Sequence, residues 1–334
     1  MFEVRTDLAV EENERIAKTQ EETRGIRVSE EDYGEAQIHI TTVHITTENG
    51  ARQMGKPKGT YITLEAAEMI EDDEDYHREI SKHLSMILRK LIPVDQNGTK
   101  EKMKNIKTGF NQENDRDDSE KCEFDHMERW DNESQRETSI LVAGLGNRQV
   151  TPDALGPQVA DNLYITRHIL REFGRQAYEN EAVQPISAIV PGVMAQTGME
   201  SQEIIAGIIR EVKPDYLIVV DALAARSVRR LGRTIQITDT GIYPGSGVGN
   251  HRYSITKETM GIPVIAIGIP TVVEAATIVY DSMSTLLEEL TVEADSLRPL
   301  KTSWSKLTEA EHRNLIRELL SPQLNHMFVT PKDI

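Results

Sequence analysis

The chain has 334 residues, with 38 Lys and Arg against 55 Asp and Glu, giving a formal net charge of −17. So acidic a balance argues against binding a nucleic-acid backbone, which needs clustered cations. The single cysteine, Cys122, excludes an internal disulfide and a cysteine zinc cluster, and it points to a reducing compartment.

The N-terminal stretch Met1–Arg15 has neither a basic head nor an apolar core, so it does not read as a secretory signal. No apolar run reaches the roughly 18 residues of a membrane span. A cytoplasmic protein with no membrane partner is expected. The first segment, to about Glu30, is polar and charged, with a helical pattern over Glu11–Arg24. Ala36–Thr47 is rich in β-branched residues. Its apolar positions Ile38, Ile40, Val43 and Ile45 alternate in two short registers, which predicts a half-buried strand with a bulge. Gly59–Leu64 reads as its partner strand. After the acidic stretch Glu71–Asp75, Ile80–Leu91 has helical spacing.

From about Asp95 to Glu137 the chain is polar, and Asn111–Glu137 holds eleven acidic and four basic side chains. That composition predicts a solvated loop or linker without a catalytic role. The pattern then changes. Ser139–Ala143, Ser187–Val190, Tyr216–Val220 and Val264–Ile267 are short, nearly continuous apolar runs, as in parallel strands covered on both faces. Helical patterns over Val159–Phe173, Glu200–Val212 and Val272–Leu290 lie between or after them, and Thr234–Thr238 is a further strand candidate. This alternation predicts an α/β fold: a three-layer αβα core with a mostly parallel sheet, plus an N-terminal β-containing segment and a C-terminal helix. Thr308 and Glu311 form a capping box for that last helix, and Pro322 should end it.

Ligands of open parallel α/β sheets bind beyond the carboxyl ends of the strands. Two such ends carry an aspartate. In Leu141–Gly156 a strand runs into a glycine-containing loop with Asp153 just before the next helix. A dinucleotide fingerprint fails there, because Gln149 stands where a third glycine is needed, and no phosphate-binding Gly-Lys-Ser/Thr is present. Asp153 would also serve as a cap for the following helix. In Pro214–Ala225, Asp221 directly follows a buried strand, where an ionised carboxylate is costly unless paired or used, while Asp215 reads as a turn residue.

Two carboxylates converging on one cleft repel, so one can keep a proton while the other stays ionised. Such a pair can activate water and protonate a leaving amine. With a third ligand, for which His251 is a candidate, they can instead bind a divalent metal. Two glycine-rich loops, Pro191–Glu200 and Thr240–Asn250, can wall a cleft, and Glu200 reads chiefly as a first-turn helix residue. There is no G-x-S-x-G elbow and no H-E-x-x-H helix. The residues alone leave three readings open: an aspartate-pair enzyme, a metal-dependent enzyme, and a non-catalytic protein that holds a ligand or peptide.

Val4–Glu11, Gly144–Pro157, Pro191–Glu200, Val220–Ser227, Asp239–Asn250, Pro263–Thr271 and Val329–Lys332 together resemble the germination proteases of spore-forming bacteria. Val150–Pro157 and Asp221–Arg226 are the most specific strings. The resemblance implies an endopeptidase that degrades small acid-soluble spore proteins, in the forespore and spore core. It implies that Asp153 and Asp221 are the catalytic aspartates, acting without a cofactor or a tightly bound metal. The core is similar to that of the hydrogenase maturation endopeptidases, whose corresponding sites bind metal.

The resemblance further implies a homotetramer made as a zymogen that removes its own propeptide. The family's preference is for an acidic residue before the cleaved bond, then a hydrophobic residue, then alanine. Asp7-Leu8-Ala9 fits, so cleavage between Asp7 and Leu8 is expected. The segments then read as a propeptide 1–7, an N-terminal β/α segment 8–137, a catalytic core 138–290 and a helical tail 291–334. Two departures stand out. The family usually continues with another helix after the Val329–Lys332 motif, whereas this chain stops at Ile334. The polar stretch Asp95–Glu137 matches poorly.

Overall fold

The computed structural model describes residues 8–11, 25–34, 36–92, 137–179, 183–244, 253–293, 298–320, 324 and 327–331. The expected helix over Glu11–Arg24 and the acidic stretch Asp95–Glu137 fall almost wholly outside these residues, as do Asp7 and His251.

In chain order the first part contains strand β1 (Ile26–Tyr33), β2 (Ile38–Ile45), helix α1 (Glu48–Met54), β3 (Gly59–Ala66) and α2 (Glu74–Leu91). Next come β4 (Ile140–Gly144), a 3-10 turn over Thr151–Asp153, α3 (Leu155–Asn162), α4 (Arg167–Phe173), β5 (Ile186–Ile189), α5 (Met194–Thr197) and α6 (Ser201–Val212). The last part contains β6 (Tyr216–Ala225), β7 (Thr234–Thr238), α7 (Lys257–Met260), β8 (Val264–Glu274), α8 (Ala275–Glu293), α9 (Arg298–Ser305), α10 (Glu309–Leu319) and β9 (Phe328–Val329).

Among the described residues the strands form one nine-stranded sheet in the order β1-β2-β3-β7-β8-β6-β4-β5, with β9 added beside β8. The expected α/β core is present. Its parallel part is β5-β4-β6-β8. The N-terminal strands extend the same sheet by antiparallel pairing, and β7 joins them to the core by pairing antiparallel with both β3 and β8. Both faces of the parallel strands are covered, which is why their sequences are unbroken apolar runs. Val142, Ile218 and Val220 face one side, in a cluster with Ile80 and Ile87 of α2 and with Leu155 and Val159 of α3. Leu141, Leu217 and Val219 face the other, against Ile205 and Ile209 of α6 and Met260 of α7. No helix among the described residues is long and apolar enough to cross a membrane.

Several local expectations are corrected. Strand β2 has no bulge, since its register with β1 and β3 is continuous. Its two apolar registers have another cause. Ile38 and Ile40 pack into the α2 side of the sheet, whereas Val43 and Ile45 pack on the opposite face with Ala9, Met54 and Tyr61. Strand β1 (IRVSEEDY) is largely exposed and charged, the composition of an edge strand, and it carries no apolar signal. The helical pattern over Val159–Phe173 is two helices, α3 and α4. The acidic stretch before α2 is its start: Asp73 accepts the backbone N–H groups of Asp75 and Tyr76, each at 3.0 Å. The Thr308–Glu311 capping box forms as expected, and α10 ends at Leu319.

The segment Leu8–Glu11 is fully buried. Leu8 and Val10 pack against Leu223 of β6 and Ile242. The Ala9 N–H donates to the buried side chain of Gln236 on β7 at 3.1 Å. That amide also accepts the Thr63 hydroxyl at 3.2 Å and donates to the carbonyls of Ile62 and Ile237. Glu11 accepts the Arg226 N–H at 3.2 and 3.3 Å and faces the Arg230 guanidinium at 3.4 Å, while Arg230 also reaches Glu65 of β3 at 3.1 Å.

A carboxylate taken out of water next to a largely covered guanidinium stabilises only as a pair, and removing one partner leaves the other charge poorly compensated. Glu11→Ala is therefore expected to cost about 3 kcal/mol, read as a lower urea midpoint. Glu11→Gln, which keeps an acceptor for the Arg226 N–H, should cost less.

Candidate active site

The parallel ladder between β4 and β6 ends at the pair Gly144↔Val220, followed by one further bond from the Leu145 N–H to the Val220 carbonyl, 2.8 Å. Beyond it β4 turns away into the loop 145–154, and β6 continues beside β8. Asp221 is the first residue of β6 past that parting. The expectation that the strand stops at Val220 is corrected here. β6 runs on to Ala225, because β8 pairs with it through Asp221↔Gly268 and beyond. The strand end beside Asp221 is that of its neighbour β4. Its side chain is buried, and Oδ1 accepts the Ala222 N–H at 3.0 Å.

The loop after β4 is closed upon itself. Gly146 has φ +111°, and a Cβ placed there would lie 1.9 Å from the Asp153 carbonyl oxygen and 3.0 Å from Asp153 Oδ1. Only glycine tolerates that approach in that conformation. Gly156, at the start of α3, meets the Val220 carbonyl in the same way, at 2.5 Å from an added Cβ. Asp153 Oδ2 accepts the Asn147 N–H at 2.8 Å. The helix α3 that follows has Ala154 at its N-cap position and no side-chain cap. Helix capping is thus not what occupies Asp153. The turn Thr151–Asp153 lies against both β6 and β8, so Asp153 returns to the strand that bears Asp221.

Neighbouring groups fix the outside of this loop. The Asn147 carbonyl Oδ1 accepts from the Gln149 N–H and from Gln196 of α5, each at 3.0 Å. Arg148 forms a two-pronged pair with Asp161 of α3 and holds its carboxyl below the usual carboxylate range. Val150 in the loop, Met194 of α5 and Met199 just after it present apolar surface to solvent. Tyr61, whose hydroxyl donates to the Pro57 carbonyl and accepts from Thr240, has its pKa pushed up to about 12 by burial and stays a neutral phenol.

Other expected residues have structural roles. Glu200 is the N-cap of α6, with its N–H accepted by Glu203 at 3.0 Å. Asp215 clamps the start of β6 to β4 through the Ser139 N–H and hydroxyl, at 2.7 and 2.8 Å. Among the described residues no group of three or more His, Cys, Asp or Glu side chains is arranged to hold a metal ion. Asn147 and Gln196 escaped sequence reasoning, because a single amide in a loop gives no periodic or spacing signal.

Comparison with known proteins gives the family. A family model described as germination protease matches residues 3–122 and 119–304. The chain belongs to the germination protease family. The germination protease of Caldanaerobacter subterraneus subsp. tengcongensis is 40% identical over 331 residues, covering 99% of this chain and 88% of the relative. That of Clostridium perfringens is 38% identical, covering 100% and 90%, and that of Bacillus subtilis 37%, covering 99% and 88%. The reaction to be accounted for in a germination protease is hydrolysis of a peptide bond.

A methyl group at Gly146 must push the Asp153 backbone away. Gly146→Ala is therefore expected to fold, by circular dichroism, yet to lose peptidase activity by about 100-fold, the scale on which misplacing a reacting group by an ångström acts. Activity near that of the unmodified protein would show that the closed loop is not needed.

Proposed function

We propose that this chain is the endopeptidase that starts the degradation of small acid-soluble spore proteins during germination, in the spore core, and that Asp153 and Asp221 are its catalytic pair. The reading rests on one observation: in a germination protease, the two aspartates flank the place where β4 parts from β6, with the turn of Asp153 against the strand of Asp221. One ionised carboxylate takes a proton from water as that water attacks the scissile carbonyl. The other, protonated, gives its proton to the leaving nitrogen as the C–N bond breaks. The bond from the Asn147 N–H orients the Asp153 carboxyl group for this work. The exposed apolar side chains Val150, Met194 and Met199 suit a substrate held as extended chain.

The same reading includes a homotetrameric zymogen that clips itself between Asp7 and Leu8. Support comes from Leu8, which packs against Leu223, two residues beyond Asp221 on the same strand. After cleavage, Leu8–Glu11 would remain part of the core and residues 1–7 would leave. N-terminal sequencing of the processed protein is expected to begin at Leu8.

The test of the pair is cleavage of a purified small acid-soluble spore protein into a few defined fragments. Asp153→Asn and Asp221→Asn should each slow it by about 1,000-fold or more, as loss of a principal acid or base does, with melting temperatures close to that of the parent protein. Full activity in either variant sinks the pair. Loss of stability without loss of activity favours a non-catalytic role for the aspartates. Activity abolished by a chelator and restored by a divalent ion transfers the chemistry to a metal.

A further inference from the structure

The register of β6 against β8 runs Asp221↔Gly268, Ala222↔Ile269, Leu223↔Pro270, and then jumps to Ala224↔Val272. Thr271 is the residue left over, the extra member of a β-bulge two residues past Asp221. Bulges re-aim a side chain out of the alternation of the strand. Here the side chain belongs to a fully buried threonine, and its hydroxyl donates to the carbonyl of Pro152 at 2.6 Å.

That carbonyl shares a peptide plane with the N–H of Asp153. The other edge of the plane is held as well, by the bond from the Asp153 N–H to the Val150 carbonyl at 2.8 Å. The peptide entering Asp153 is therefore pinned at both edges, one within its own loop and one by β8. The same strand β8 pairs with Asp221 itself. A β-branched side chain has few rotamers, so the hydroxyl direction is set by the backbone of the bulge.

We propose that Thr271 is a positioning residue that holds the Asp153 turn against the strand carrying Asp221 and so sets the separation of the two carboxyl groups. This rests on the aspartate-pair reading. Thr271 touches neither substrate nor reacting atoms in this role; it acts through the Pro152–Asp153 peptide. The bulge gives it a reason to exist, because an unbulged β8 would point position 271 along the alternation of the strand rather than at the turn.

The test is steady-state kinetics of Thr271→Val and Thr271→Ser on a small acid-soluble spore protein, with Asp153→Asn and Asp221→Asn measured alongside. Valine keeps the shape and removes the donor. Its kcat should fall by about 30-fold, part of the range that misplacement of a catalytic group spans, while KM stays within about twofold. Serine keeps the donor and should restore kcat to within about threefold of the parent. A Thr271→Val enzyme with kcat within about twofold of the parent overturns the proposal, as does a folded Thr271→Ser enzyme as slow as valine. If valine does not fold, Thr271→Ala carries the same prediction at lower temperature, and failure of both to fold makes Thr271 a core residue and overturns the proposal. Retained activity in the aspartate variants would instead overturn the underlying pair, whatever Thr271 does.

Discussion

The parting of β4 from β6 governs the rest of this molecule. A parallel ladder satisfies backbone groups on both strands for as long as both run together. When β4 turns away after Gly144, its ladder with β6 ends at Val220, while the pairing of β6 with β8 runs on through Asp221. At that parting the Val220 carbonyl accepts the Leu145 N–H, and Gly156 at the start of α3 packs against the same carbonyl. Asp221 on β6, just past the end of the β4 ladder, and the turn of Asp153, which folds back against β6, are brought to one end of the sheet by how β4 leaves it. The glycines at 146 and 156 are the steric condition for that return.

The other side of the same strand is secured by the N-terminal segment. Leu8 and Val10 fill the space beside Leu223, and Glu11 ties the chain after β6 through Arg226 and Arg230. From the helical side, Asp281 of α8 accepts the Val228 N–H at 2.9 Å. The carboxyl half of β6 is thereby held by the chain start, by β8 and by α8 at once, which gives a rigid support for a buried carboxylate.

Much of this was legible in the sequence, and the exceptions have physical causes. The parallel strands announced themselves because both of their faces are covered, so no polar residue interrupts them. Asp221 stood out because a carboxylate directly after such a run is unusual, and Asp153 because it lies in the glycine-containing loop that follows another such run, just before the next helix. The path of β6 and β8 past their apolar runs was not legible. Asp221, Gly268, Pro270 and Thr271 break the pattern that marks a strand, yet each has a partner or a use in three dimensions. The two-phase apolar pattern of β2 was visible but ambiguous, since a bulge and a change of covered face write the same sequence. Strand β1 was hidden by its charges. The amides of Asn147, Gln196 and Gln236 give no pattern at all, because a single hydrogen-bonding side chain has no period.

Peptide hydrolysis between Asp153 and Asp221 is a proposal that substrate binding can decide. A crystal structure of the Asp221→Asn protein with an uncleaved substrate peptide tests it most directly. The scissile carbonyl is expected between the two side chains, with a water within about 3 Å of one of them and of the carbonyl carbon and no metal ion between the side chains. A scissile bond bound away from this strand edge, or a divalent ion coordinated by the pair, would contradict it.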